Sequence, residues 1–123
     1  MNEEIFKNWL KKPTDCLIMG IVNTTPDSFS DGGKFNTPIK AIDFAYDLLD
    51  QGADIIDIGG ESSRPGADPV PPAEEIKRIA PLLNELVKNT DCLISVDTYK
   101  SSTAAYALDN GAHLINDISG LSH

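Results

Sequence analysis

The stretch DIIDIGG at residues 54–60 decides the fold, because it is a short β-branched run that stops at a pair of glycines. Its apolar residues are nearly continuous rather than alternating, which is typical of a strand buried on both faces of a parallel sheet. Three other runs share this character, at residues 17–22, 93–96 and 114–118. The four runs are therefore predicted to be parallel β-strands.

Helical patterns separate the four predicted strands. The first spans residues 37–52, with a proline in its first turn and a glycine at its end. The second begins at Pro72, and Pro81 inside it predicts a kink or a split into two helices. The third is short and stops at Gly111. This alternation predicts an α/β fold of βαβ units, which suits either a (β/α)₈ barrel or a doubly wound sheet.

The composition argues against several classes of function. The chain has 123 residues, a formal net charge of −9 and no basic run, so neither a nucleic-acid partner nor an anionic membrane surface is expected. Its longest apolar runs are far too short to cross a bilayer. Acidic residues stand at positions 3 and 4, where a signal peptide needs basic ones. We therefore expect a cytoplasmic globular protein.

Polar residues follow each predicted strand, at the edge where parallel sheets bind ligands. Asn23, Gly60 and Asp97 are spaced 37 positions apart, and Asn116 follows Asp97 after 19. An amide or a carboxylate at a strand end offers hydrogen-bond partners to a polar ligand. The spacing therefore predicts one shared site at the carboxyl edge of the sheet.

Four segments of the chain resemble signature motifs of the dihydropteroate synthase family, in the same order. They are IMGIVNTTPDSFSDGG (residues 18–33), DIGGESSRPGA (57–67), SVDTYK (95–100) and INDI (115–118). The first two motifs are long and specific, and the resemblance runs from about residue 17 to residue 120. One small departure is Ser63, where many relatives have Thr and either side chain offers a hydroxyl.

The resemblance implies a TIM barrel and a Mg²⁺-dependent transferase of folate biosynthesis. Such an enzyme joins 4-aminobenzoate to 6-hydroxymethyl-7,8-dihydropterin diphosphate, giving 7,8-dihydropteroate and pyrophosphate, and sulfonamides compete with 4-aminobenzoate. We expect a homodimer for the full-length enzyme. Because a (β/α)₈ barrel needs about 250 residues, residues 1–123 are expected to be the N-terminal part of one pterin-binding barrel domain, with about four β/α units. Alone, this part is expected to be inactive and to self-associate through uncovered apolar surface.

The resemblance assigns roles to three strand-end residues and one loop residue. Asp97 and Asn116 bind the pterin ring, for which a carboxylate and an amide offer suitable hydrogen-bond partners. Asn23 holds Mg²⁺ against the diphosphate, and Mg²⁺ typically takes one or two protein ligands in such sites. Arg64 lies near pyrophosphate and 4-aminobenzoate, where its guanidinium fork suits a diphosphate. Without the resemblance, the simpler explanations are a helix cap, turn-forming asparagines and a solvated arginine.

Residues of two loops complete the expected site. By resemblance, the 4-aminobenzoate pocket is shaped by Phe29, Asp31, Ser63 and Pro65, and the expected catalytic residues are Asp31 and Arg64. Two ordinary surface loops are the alternative explanation for these segments.

Two other functions stay open at this stage. Methyltransferases that act on methyltetrahydrofolate with a corrinoid partner share the pterin-binding barrel. They need no diphosphate site, so the polar loops at residues 24–33 and 63–65 argue against them. A non-catalytic half-barrel is the third possibility, and the length of the chain favours it.

Overall fold

The computed structural model describes residues 3–12, 16–25, 37–61 and 68–117. The strands in this part of the chain are β1 (Met19–Asn23), β2 (Ile55–Gly59), β3 (Leu93–Asp97) and β4 (Leu114–Asn116). The helices are α1 (Glu3–Lys11), α2 (Thr37–Asp50), α3 (Pro72–Asn89) and α4 (Ser101–Asp109).

The strands form one sheet in the order β1-β2-β3-β4, and every pair is parallel. One helix, α2, α3 or α4, joins each strand to the next. In a doubly wound sheet the strand order reverses at a switch point, whereas here strands that are neighbours in sequence are also neighbours in space. The predicted α/β class is confirmed, and the order is that of successive strands in a (β/α)₈ barrel.

The helices cover one face of this sheet. Gly20 allows α2 to approach β1 closely, because a Cβ atom there would lie 2.8 Å from Leu48 Cδ1. The core between sheet and helices is built mainly from Val22, Ala41, Ala45, Ile56, Ile58, Ile79, Leu82, Leu83, Leu86, Ile94 and Val96. Because side chains alternate along a strand, the strand residues adjacent to these core positions, including Asp57 and Asp97, point to the other face of the sheet.

Helix α3 is continuous over 18 residues, so of the two outcomes predicted for Pro81, a kink or a split, the split is wrong. Proline removes one hydrogen bond of the helix. However, Leu82, Leu83 and Leu86, which follow the proline, are all buried. Their packing holds the second half of the helix on the sheet and outweighs the lost hydrogen bond.

The other helices agree with the prediction from the sequence, except for α1. Gly52 and Gly111 have φ angles of 106° and 107°, so the glycines predicted to terminate α2 and α4 adopt the left-handed conformation. Helix α1 was not predicted, and none of its residues is buried. The helices that the structure describes lack the length and apolar character needed to cross a membrane.

Candidate functional site

The last residues of the four strands lie side by side in one row across the sheet. The pairing register aligns Asn23 with Gly59, Gly59 with Asp97, and Asp97 with Asn116. Residues in one row of a parallel sheet project to the same face. The shared edge predicted from the sequence is confirmed, and it brings Asn23, Asp97 and Asn116 together.

Gly59 rather than Gly60 occupies the second place in this row. Equal spacing predicted Gly60, but the last paired residue of β2 is Gly59. A Cβ atom on Gly59 would lie 3.2 Å from Asn23 Oδ1 and 3.8 Å from Asp97 Oδ2. The absent side chain thus leaves a gap between an amide and a carboxylate. A Cβ atom on Gly60 would instead meet the carbonyl oxygen of Glu75 at 3.0 Å, so Gly60 packs against α3.

A second polar layer lies beneath this row, and we call it the polar floor; it consists of Asp57 and Ser95. The two residues are paired across β2 and β3 and are 2% and 0% exposed. The side-chain NH₂ of Asn116 donates to Asp57 Oδ2 over 3.4 Å. Asp57 Oδ1 and Ser95 Oγ have no hydrogen-bond partner within the described ranges. Since buried polar atoms are normally paired, the polar floor is an exception that needs an explanation.

The surroundings of the row raise the pKa of Asp97 to about 6. Burial is the largest cause, and the negative charges of Asp57, Glu75 and Asp117 add to it. Burial also raises the pKa of Asp57, while Asn116 and the nearby Ser95 hydroxyl, which does not form a hydrogen bond of standard geometry, act in the opposite direction. Asp97 is therefore mostly ionised at neutral pH, and N–H donors from a ligand would replace the water that its carboxylate has lost.

An ion cluster next to the row joins the segment after β2, helix α3 and the segment between β3 and α4. Lys100 Nζ lies 3.0 Å from Glu61 Oε2 and 3.7 Å from Glu75 Oε1. Glu75 also accepts a 3.0 Å hydrogen bond from the Thr98 hydroxyl, and Glu61 accepts one from the backbone N–H of Val70. Burial alone would raise the pKa of Glu61, but the Val70 N–H and Lys100 outweigh it and lower the pKa. The cluster therefore ties the end of β2 to the chain ahead of α3.

A divalent cation at this edge would rely on few protein ligands. The described residues contain no group of three or more His, Cys, Asp or Glu side chains that could hold a metal ion. Asn23 is exposed at the end of β1, with its amide oxygen beside the gap over Gly59. Mg²⁺ prefers oxygen ligands, keeps several waters and is completed by substrate phosphates. The position of Asn23 fits a Mg²⁺ site of this kind.

The remaining residues predicted for the site lie outside the described residues: Phe29, Asp31, Ser63, Arg64 and Pro65. Sequence reasoning also missed residues that the structure brings to the site, namely Asp57, Ser95, Lys100 and Glu75. One signal was available for Asp57, because it is a charged residue in the middle of an otherwise apolar strand.

Comparison with known proteins points to one family. A family model described as "Pterin binding enzyme" matches residues 19–123. The dihydropteroate synthase of Bacillus subtilis (strain 168) is 53% identical over 107 residues, which are 87% of this chain and 38% of that protein. The chain therefore spans about two fifths of the length of this relative.

Two solved structures are similar to this chain in both fold and sequence. A dihydropteroate synthase from Clostridium difficile, solved in the presence of pteroic acid, matches with a TM-score of 0.84 and 51% identity over 89% of this chain and 41% of that chain. The Xanthomonas albilineans dihydropteroate synthase, solved with 4-aminobenzoic acid, matches with a TM-score of 0.84 and 46% identity over 89% and 40% of the two chains.

Proposed function

The chain belongs to the pterin-binding enzyme family, and on this premise we propose that it supplies the N-terminal part of a dihydropteroate synthase. The reaction would join 6-hydroxymethyl-7,8-dihydropterin diphosphate to 4-aminobenzoate, giving 7,8-dihydropteroate and pyrophosphate. The observation that carries this proposal is the row of Asn23, Gly59, Asp97 and Asn116. Two similar structures, one solved in the presence of pteroic acid and one with 4-aminobenzoic acid, support a pterin and an aminobenzoate as the two substrate classes.

The pterin ring is assigned to Asp97 and Asn116. The ring presents adjacent N–H donors, and an ionised carboxylate accepts such donors in strong, charge-assisted hydrogen bonds. Asp97 is partly buried and surrounded by negative charge, so it gains more from these donors than an exposed carboxylate would. The neighbouring amide of Asn116 adds a second polar contact in the same row.

The diphosphate is assigned to Asn23 and Arg64. Asn23 would hold Mg²⁺ through its amide oxygen beside the gap over Gly59. The bound ion would neutralise the charge that develops on the leaving pyrophosphate. Arg64 would bind the same group through its guanidinium fork, which matches phosphate oxygens in pairs.

The transfer itself needs little from the protein beyond positioning and charge stabilisation. The carbon–oxygen bond to the diphosphate breaks, and the pterin ring stabilises the cationic methylene that remains. The amine of 4-aminobenzoate attacks this carbon, a carbon–nitrogen bond forms, and the amine loses one proton to solvent. The row would contribute by fixing the ring, since correct orientation lowers the barrier of such a step.

The second substrate is assigned to the loop residues predicted from the sequence. Phe29, Asp31, Ser63 and Pro65 would shape the 4-aminobenzoate pocket, where sulfonamides would compete, with Asp31 acting beside Arg64 in catalysis. A homodimeric full-length enzyme and a cytoplasmic location stay predictions of the same proposal.

A hybrid chain tests the proposal, and we call it the hybrid enzyme: this chain replaces the matching N-terminal part of the Bacillus subtilis dihydropteroate synthase. We expect the hybrid enzyme to release pyrophosphate only when both substrates are present, and Asp97→Asn to weaken its binding of the pterin. The 123-residue chain by itself is expected to be inactive. A folded hybrid enzyme that binds pterin but releases no pyrophosphate would contradict the proposal. Methyl transfer from methyltetrahydrofolate to a corrinoid protein would favour the methyltransferase alternative.

A further inference from the structure

Asp57 is a charged residue in the middle of a buried strand, and the proposed substrate contacts do not use it. It is 2% exposed, while its neighbours Ile56 and Ile58 are fully buried on the opposite face of the sheet. Within the described ranges no Lys, Arg or His forms an ion pair with it. A buried carboxylate without a cation destabilises the folded state. A role in the functional site would explain why position 57 holds an aspartate instead of an apolar residue.

We propose that Asp57 is a positioning residue that fixes the side-chain amide of Asn116 in one of its two orientations. This inference rests on the proposed function, because the orientation matters only if Asn116 meets a ligand. The geometry behind it is the contact between Asn116 Nδ2 and Asp57 Oδ2 at 3.4 Å.

The chemistry of the two groups makes the orientation definite. An ionised carboxylate only accepts hydrogen bonds, whereas an amide donates through its nitrogen and accepts through its oxygen. Asp57 therefore attracts the NH₂ group of Asn116 towards the polar floor. The amide is planar, so its carbonyl oxygen is turned away from the polar floor, towards the open side of the row.

The fixed orientation determines what kind of ligand the row can bind. Asp97 and Asn116 are neighbours in the row, and both would then present acceptor oxygens. A matching ligand must bring N–H donors to both positions, as the amino-pyrimidine edge of a pterin does. A ligand with an acceptor at the Asn116 position would meet oxygen against oxygen and would be rejected.

Exchanging the two side chains tests the inference in the hybrid enzyme. Asn116→Asp alone places two carboxylates in contact and should lower pterin affinity about 100-fold. Asp57→Asn alone removes the charge that selects the orientation and should lower affinity about tenfold. The double variant Asp57→Asn/Asn116→Asp keeps the net charge and reverses donor and acceptor. Its affinity should return to within about tenfold of the parent.

A matched control is available next to Asp57 on the polar floor. Ser95→Ala removes the other buried polar atom but leaves the contact to Asn116 intact, so pterin affinity should stay within about threefold of the parent. In the Asp57 variants the KM for the pterin diphosphate should rise while the KM for 4-aminobenzoate stays constant. A purely structural role would change both constants or lower the melting temperature.

One measurement needs no substrate. In the ligand-free protein, labelled with ¹⁵N, the side-chain NH₂ signals of Asn116 should shift as Asp57 titrates, and Asp57→Asn should abolish this shift. Its absence in the parent, or a double variant no better than Asn116→Asp alone, would overturn the inference. If the NH₂ signals shift but the hybrid enzyme binds no pterin, the positioning role stands and the proposed function fails.

Discussion

Gly59→Ala and Gly60→Ala, made one at a time in the hybrid enzyme, distinguish an effect on the functional site from an effect on the fold at two adjacent positions. A Cβ atom at position 59 enters the gap between Asn23 and Asp97, whereas one at position 60 enters the contact with α3. We expect Gly59→Ala to impair catalysis with little change in stability. For Gly60→Ala we expect the opposite result.

The magnitude at Gly59 follows from what the new methyl group would meet. It would lie 3.2 Å from Asn23 Oδ1 and 3.8 Å from Asp97 Oδ2, and both atoms are the ends of side chains that can move slightly. Alanine also restricts the unfolded chain, which stabilises a protein by about 0.4–1 kcal/mol where the backbone permits it. The free energy of unfolding should thus stay within about 1 kcal/mol of the parent. Displacing the amide of Asn23 should lower kcat/KM for the pterin diphosphate about tenfold or more.

The contact at Gly60 cannot relax in the same way. A Cβ atom there would lie 3.0 Å from the carbonyl oxygen of Glu75 and 3.0 Å from Ile79 Cγ2. The carbonyl belongs to the backbone of α3, so the whole helix would have to shift. Overpacking of this kind destabilises a protein by about 1–3 kcal/mol. The folded fraction of Gly60→Ala should keep the parent's KM for both substrates.

Two assays decide between these outcomes. Urea unfolding followed by circular dichroism gives the free energy of unfolding, and pyrophosphate release gives kcat/KM. These roles of the two glycines are contradicted if Gly59→Ala keeps the parent's kcat/KM, or if Gly60→Ala unfolds at the same urea concentration as the parent.

Three further substitutions test individual contacts. Asp97→Asn should weaken pterin binding by about 1–3 kcal/mol in calorimetry. The ionised form of Asp97 is the form that binds, and its pKa is about 6. The affinity of the parent for the pterin should therefore rise with pH up to that value and then level off. Equal affinity below and above the pKa would contradict this role of Asp97. Lys100→Met should destabilise the protein by about 3–5 kcal/mol in urea unfolding at neutral pH, since Glu61 and the buried Glu75 both lose their cation. Adding Glu75→Gln should restore part of this loss, and no recovery would show that the pairing with Glu75 is not a cause. Arg64→Lys should lower kcat with the diphosphate yet spare binding of a plain pterin, because a fork becomes a point charge. An equal loss of plain pterin binding would make Arg64 structural.

The strand-end residues were predictable because a polar residue that directly follows a buried run must lie where the strand leaves the core. Asn23 and Asp97 were found in this way, whereas Asn116 interrupts the predicted run at residues 114–118. The position of Gly59 was not predictable, because the spacing between apolar runs does not give the hydrogen-bond register. An error of one residue reverses the face of the sheet to which a side chain points. The continuity of α3 across Pro81 depends on leucines that pack only in the folded protein.

Asp57 shows a different limit of sequence reasoning. Its position in an apolar strand marks it as unusual, but its contact with Asn116 joins residues 59 positions apart. A contact over that distance depends on the order of the strands and on their register. Neither can be read from local patterns of apolar residues.

The polar floor limits how this protein can be made more heat-resistant. Barrels usually fill their interior with layers of branched apolar side chains. Here Asp57 and Ser95 instead place polar atoms, which have no hydrogen-bond partner among the described residues, on the face opposite the helices. Apolar residues at these two positions would raise the melting temperature. Directed evolution for heat resistance alone would therefore remove Asp57, the proposed support of Asn116. A library built for that purpose should hold position 57 constant, or be selected for activity in the same round.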